Sequence, residues 1–266
     1  MVLYAMGNPL PRRFERYVAI GDSSTEGLDD PDGGGGYRGW ANRLAERITE
    51  VQGSLLYANL AVRGRLTRQI REEQLGPALR LRPDLVTLFS GTNDVVARRF
   101  DPDEYAIDLD EIQRSLIGSG ATLLTFTLPD LTPVMPLARV IAPRVRELNQ
   151  VMRCVSRSTG AVLVDLAEYP VASDPRLWSE DRLHANSTGH TRIAAALAHA
   201  LGLPGTDESW SHPLPPRARP TRREAALAEV LWMQRYFVPW VWRHLRGRSS
   251  GDGRRPKQAQ LRALSV

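Results

Sequence analysis

Apolar residues gather in short runs along the first three quarters of the chain, and the stretches between them repeat their apolar positions every three or four residues. RYVAIGDS is such a run, ending in a turn. YRGWANRLAERITEVQG then carries Trp40, Leu44, Ile48 and Val51 at helical spacing. LLYANLA reads as a second strand, and LTRQIREEQLGPALRL as a second helix disturbed by Gly76 and Pro77. DLVTLFSG is a third strand, rich in branched and aromatic residues. DPDEYAIDLDEIQRSLIGS opens with acids and a proline, as helix N-termini prefer, and ends near Gly118 and Gly120. ATLLTFTLP makes a fourth strand. After the proline-broken TPVMP loop, a helical pattern runs from Leu137 or later to about Ser158. AVLVDLAEY is the fifth strand, and HANSTGHTRIAAALAHALG is an alanine-rich helix for which Ser187 or Thr188 is the expected cap.

Five buried-looking strands separated by helices imply a parallel sheet with helices on both faces. Such sheets bind their ligands outside the carboxyl ends of the strands. The turn GDSSTEG, with Ser23 and Ser24, follows the first strand and so lies at that rim. NLAVRG follows the second strand, SGTND the third, and DRLH comes after the fifth.

Composition narrows the class. The 266 residues are 42% hydrophobic and 24% charged, enough apolar matter for a buried core and too much for a wholly disordered chain. No run approaches the roughly 18 apolar residues a membrane span needs. The N-terminal MVLYAMGNPLPRRFERY places prolines and arginines where a signal peptide carries its apolar centre. The single Cys154 has no partner for an intramolecular disulfide and falls in a helical segment, where it reads as a small packing residue. These features together point to the cytoplasm. Residues 205–266 hold twelve Lys/Arg against five Asp/Glu, so this tail carries +7 and residues 1–204 carry −2 of the overall +5. The basic character belongs to the tail, which argues against nucleic acid as a partner of the whole protein.

The four rim blocks, GDSS, NLAVRG, GTND and DRLH, stand in the order characteristic of the SGNH hydrolases, also called the GDSL esterases and lipases, and the chain resembles that family over roughly residues 16 to 201. The resemblance implies a flavodoxin-like three-layer α/β sandwich and an acyl-serine mechanism on carboxylic esters or thioesters, without metal or other cofactor. It assigns Ser23 as nucleophile, His184 as base, Asp181 as its orienting acid, and an oxyanion hole made by the Ser23 N–H, the Gly64 N–H and the Asn93 side chain. The residue types suit these tasks. A serine needs an adjacent base, and an acid three residues before a histidine can hold one ring nitrogen while the other faces the serine. Ser24 stands where the usual motif has leucine.

Each residue also has a plainer reading. Ser23 or Ser24 could cap a helix, Asp22 could serve the turn, Asn93 and Asp94 could form a turn, Gly64 could mark only a tight bend, and His184 could be structural. His190 and His199 have no third ligand at metal spacing. GGGG at 33–36 lacks the lysine and Ser/Thr of a phosphate loop and reads as a lip near the site. The Gly-x-Ser-x-Gly elbow of the α/β-hydrolases is absent. A non-catalytic binding or scaffold protein built on the same fold is the alternative function. Loops 28–39, 95–105 and 129–143 would wall the substrate pocket. Arg98 and Arg99 after GTND read as a solvated pair or as a preference for anionic substrates.

The chain divides into a hydrolase part, 1–204, a proline-rich linker, 205–220, and a basic tail, 221–266, with an amphipathic helix and a disordered end. The linker suggests a boundary that few contacts cross. The helix of the tail, with Leu227, Leu231 and Trp232 at helical spacing, fits packing on the body, peripheral contact with a membrane surface, or an oligomer interface. Small-molecule or lipid esters are the expected substrates. Acyl length and oligomeric state have no signature in the chain.

Overall fold

The computed structural model describes residues 13–216, 221–239, 242 and 250–264. Residues 1–12, 217–220, 240–241, the arginine-rich stretch 243–249 and 265–266 lie outside the described residues.

Six strands, β1 (Arg16–Gly21), β2 (Leu55–Asn59), β3 (Leu85–Phe89), β4 (Thr122–Phe126), β5 (Val162–Val164) and β6 (Gln258–Leu264), form one sheet in the order β5-β4-β3-β1-β2-β6. The first five pair in parallel, and β6 runs antiparallel along β2. The helices are α1 (Ser23–Glu26), α2 (Gly39–Gln52), α3 (Thr67–Ile70), α4 (Gly76–Arg80), α5 (Thr92–Val96), α6 (Pro102–Gly118), α7 (Ala142–Thr159), α8 (Ser187–Ala200) and α9 (Arg222–Trp232). A π-helical turn, Arg71–Leu75, joins α3 to α4, where Pro77 has no N–H to give to a regular ladder.

The connection β1–α2–β2 steps one way along the sheet, whereas β2–α3–α4–β3 and β3–α6–β4 step the other. Right-handed crossovers therefore put α2 on one face and α3, α4 and α6 on the other. α8 packs with α2, and α7 with α6, which completes three layers. Every residue of β3 and all but the first of β1 are buried, as strands covered on both faces must be. Between the layers, Phe126 stacks on Phe89 at 4.3 Å and meets Trp40 edge-on at 5.3 Å. The strand order reverses beside β1, so the sheet's switch point lies at the end of that strand.

Several expectations need correction. The sheet has six strands rather than five, because the stretch read as a disordered end supplies β6, whose Leu261 and Leu264 pack against the core. β5 spans only three residues. By contrast, α7 starts at Ala142, behind a 3-10 turn at Pro136–Val140, and ends at Thr159, as the expectation of Leu137 or later to about Ser158 allowed. Asn186, not Ser187 or Thr188, caps α8, accepting from the N–H groups of Thr188 and Gly189. Cys154 is exposed on α7 rather than packed. The segment after Pro204 is not an open boundary. Trp210 is buried against Tyr169, Arg192 donates to the carbonyls of Trp210 and His212, and Arg176 to that of Pro215. Among the described residues, no helix is long and apolar enough to cross a membrane.

Candidate active site

The turn after β1 is built by groups that leave little freedom. Gly21 has φ +149°, and a Cβ there would lie 2.4 Å from both the Phe89 carbonyl and Thr25 Oγ1. The buried Gln74 holds both backbone groups of Gly21, accepting from its N–H at 2.8 Å and donating to its carbonyl at 2.9 Å. Asp22 then caps α1 by accepting from the Ser24 N–H, so Ser23 begins the helix and is buried. Ser24 turns toward α2, where its Oγ accepts from Trp40 Nε1 at 3.3 Å.

Opposite Ser23, an Asx turn shapes residues 181–184. Asp181 Oδ1 accepts from the N–H groups of Leu183 and His184 and from Ser179 Oγ. Its other oxygen, Oδ2, lies 2.6 Å from His184 Nδ1, and His184 Nε2 lies 2.8 Å from Ser23 Oγ. The chain of hydrogen bonds from Asp181 through His184 to Ser23 is thus unbroken. Arg182 within this turn and Asp29 beside it both adopt left-handed backbone conformations, with φ of +63° and +64°. Asp29 brings a second carboxylate to 3.9 Å from His184 Nδ1. Asp29, Asp181 and His184 also have potential ligand atoms within 4.8 Å of one another, but Asp181 and Ser23 engage both ring nitrogens.

Gly64 and Asn93 reach the same rim from β2 and β3. The buried Asn59 at the end of β2 donates to the Thr25 carbonyl and accepts from the Ala61 N–H, so it ties the NLAVRG loop to α1. Arg63 pairs with Glu26 through its backbone N–H, at 2.9 Å, and its guanidinium. Gly64 follows in the left-handed region at φ +76°. Asn93 Nδ2 donates to the Arg65 carbonyl at 3.0 Å and to Asp22 Oδ2 at 3.2 Å, and Asp94 accepts from the N–H and hydroxyl of Thr67. The structure therefore brings Ser23, Asp181, His184, Gly64 and Asn93 to one rim.

The electrostatics follow from burial and partners. Burial alone would lower the His184 pKa, but the hydrogen bond and charge of Asp181, followed by Asp29 and Asp22, raise it above the usual histidine value. Burial works to raise Asp181, yet the hydrogen bond and charge of His184 hold it well below the ordinary carboxylate range. Asp22 is pushed up to about 7 by burial, against the Ser24 N–H, and Asp94 to about 6 by burial, against Thr67. His190 is a structural tie. Its Nδ1 accepts from the Trp40 N–H, its Nε2 donates to the Leu28 carbonyl, and burial lowers its pKa to about 4.

An apolar pocket opens beside Ser23 and His184. Phe126 at the end of β4, Leu128 just after it, Leu166 after β5, Ala172 and Trp178 of the following turns, and Trp210 beyond α8 form its walls. Of the loops expected to wall it, only 129–143 contributes, through Pro129.

α9 was legible as an amphipathic helix but not as a neighbour of this site. Its Trp232 is buried, donates from Nε1 to the Asp181 carbonyl at 3.2 Å, and lies under the Arg182 guanidinium at 4.7 Å. Glu229 pairs with Arg182 at 2.6 Å, and Tyr236 OH donates to Glu180 Oε2 at 2.7 Å. Gln74, Asn59, Glu26 and Asp29 are further site residues that sequence reasoning missed. Polar residues next to a predicted strand end are the one signal that could have marked Asn59 and Glu26, whereas Gln74 lies within a helical stretch far from any strand end.

The model of the GDSL-like lipase/acylhydrolase family matches residues 19–192. No curated protein matched the chain. Among solved structures, the chain is similar to the alpha/beta hydrolase LAE5 from the metagenome of Lake Arreo, with 25% identity, a TM-score of 0.59, and coverage of 71% of this chain and 95% of that one. It is similar in fold to a catalytic mutant of Axe2, an acetylxylan esterase from Geobacillus stearothermophilus, at 18% identity and a TM-score of 0.60, covering 77% and 97%. The psychrotrophic esterase EstA from Pseudoalteromonas sp. shares the fold at 17% identity and a TM-score of 0.56, covering 71% and 97%. With the family's pattern matched over most of the hydrolase part and its fold shared along nearly the whole length of these structures, the chain belongs to the GDSL-like lipase/acylhydrolase family and is an ester-hydrolysing enzyme.

Proposed function

We propose that the chain cleaves carboxylic esters through an acyl-serine intermediate on Ser23, and that the acyl group is apolar. The observation that carries this reading is the unbroken chain from Asp181 Oδ2 to His184 at 2.6 Å and from His184 to Ser23 Oγ at 2.8 Å. His184 Nε2 takes the Ser23 proton as Oγ attacks the ester carbonyl, and Asp181 steadies the imidazolium that forms. The same proton passes to the leaving alcohol. Water, deprotonated by His184, then releases the acid and restores Ser23. The tetrahedral oxyanion faces the N–H groups of Ser23 and Gly64 and the Asn93 amide. The Asn93 amide, which donates to the Arg65 carbonyl and to Asp22, turns to donate to the oxyanion as it forms. The apolar pocket takes the acyl chain.

A fluorophosphonate probe tests this reading against that of a non-catalytic scaffold. Peptide mapping should place the label on Ser23. An unlabelled protein, or label on Ser24, would overturn the assignment. In a panel of soluble esters graded by acyl length, Ala172→Phe should lower kcat/KM for the longer acyl chains by about 10- to 200-fold relative to acetyl, because it fills the pocket wall. Uniform loss across the panel would place the acyl chain elsewhere.

Asn93→Ala should lower kcat by about a hundred- to a thousandfold, roughly 3–4 kcal/mol, with KM little changed, since the amide acts mainly on the oxyanion. A change confined to KM would make Asn93 a substrate-positioning residue. The pH dependence has a defined sign. Neutral His184 is the base, so kcat/KM should rise with pH as the imidazolium loses its proton, and the raised pKa puts the inflection above about 6.5. Asp181 stays ionised throughout that range. Measured with an ester for which chemistry limits the rate, a flat or falling profile there would remove His184 as base.

A further inference from the structure

We infer that the outer face of α9 and the turn after it form a docking surface for an anionic lipid bilayer. Six of the ten large hydrophobic side chains exposed among the described residues lie between Leu227 and Trp242. Leu227, Val230, Leu231 and Val238 are each more than half exposed. Leu227, Val230 and Leu231, three and four residues apart, lie along one side of α9, and the exposed Val238 follows the π-helical turn Met233–Phe237 that continues it. Glu229, Trp232 and Tyr236, which grip the 180–182 turn, lie on the opposite side. The helix is therefore amphipathic in an inverted sense, with its polar and aromatic contacts inward and its aliphatic residues in water. A soluble chain rarely leaves a contiguous apolar strip exposed without an occupant for it.

The charge of the same segment chooses among occupants. Residues 221–266 carry ten Lys/Arg and three Asp/Glu, whereas residues 1–204 carry −2. Exposed Arg223 lies beside the strip within the described residues, as does Arg235, which is 73% exposed and 3.6 Å from the similarly exposed Glu180 carboxylate. Basic charge alone would suit nucleic acid, but an aliphatic strip would not. The strip alone would suit a second copy, yet pairing two copies through it would bring the exposed Arg223 and Arg235 of each toward those of the other. Aliphatic side chains that enter the headgroup boundary while arginines meet lipid phosphates satisfy both features. Because the inner face of α9 holds the Asp181–His184 turn, docking would set the mouth of the site beside the lipid surface.

The test is co-sedimentation of the full chain with phosphatidylcholine vesicles, with and without phosphatidylglycerol. The full chain should bind the anionic vesicles at low salt and bind the zwitterionic ones at least about tenfold more weakly, with loss of binding as salt shortens the reach of the charges. The triple variant Leu227→Ser, Leu231→Ser and Val238→Ser should bind anionic vesicles at least about tenfold more weakly, because it removes the apolar insertion. It should hydrolyse a soluble short ester as the parent does. If the triple variant loses that turnover, Leu227→Glu alone provides the same comparison with one exposed change. Absence of binding to anionic vesicles, or equal binding by the folded variant, would overturn the proposal. A concentration-dependent dimer dissociated by these substitutions would also overturn it, by making a second copy the occupant. Binding is read without turnover, so its failure is separate from any failure of the esterase reading.

Discussion

Ser23→Ala should lower kcat on a small soluble ester by roughly four to six orders of magnitude while leaving the protein folded. The hydroxyl that would be lost is the one 2.8 Å from His184 Nε2. Removing it deletes the nucleophile but no structural cap, since Asp22 caps α1 through its own side chain. The melting temperature should therefore change little. Ser24→Ala is the matched control. Its Oγ accepts from Trp40 and faces no base, so loss of that bond should cost about 1 kcal/mol of stability and little activity. Steady-state kinetics and a thermal melt on both variants decide the matter. Retained turnover in the Ser23 variant, or loss only in the Ser24 variant, would end the proposed mechanism.

Truncation after Pro204 should yield protein that is insoluble or inactive, although every motif residue precedes the cut. β6 would be lost, leaving β2 as an open edge with its N–H and C=O groups unpaired, a known route to aggregation. Trp210, one wall of the apolar pocket, would go with it. So would Lys257, which donates from Nζ to the carbonyls of Tyr37 and Arg38, and Trp232, which donates to the Asp181 carbonyl. Arg182, held in a left-handed conformation beside the acid of the site, would lose both its ion pair to Glu229 and its aromatic neighbour. Solubility on expression, followed by fluorophosphonate labelling of any soluble fraction, reads the outcome. A soluble 1–204 fragment that labels at the rate of the full chain would show these contacts to be dispensable.

What the sequence by itself determined follows from local order. Alternating apolar runs and helical periods dictate a parallel α/β sheet, because strands buried on both faces are continuously apolar and the helices between them show one apolar stripe. The rim blocks were legible because each places its chemistry within a few residues of a strand end or, for Asp181 and His184, within one turn. Only the tertiary structure decided the rest. β6 shows no alternating pattern, since Leu261 and Leu264 alone face the core, and an edge strand of this kind is specified by its neighbour β2 rather than by its own residues. Gln74 lies more than fifty residues from the Gly21 it holds, and Asn93 more than seventy from Asp22. Trp232 was visible as part of an amphipathic helix, but which face turns inward depends on the turn at 180–182 that receives it. The aliphatic face reads as the buried one in isolation. The body offers α9 an arginine, a carboxylate and a backbone carbonyl, and those partners draw the opposite face inward.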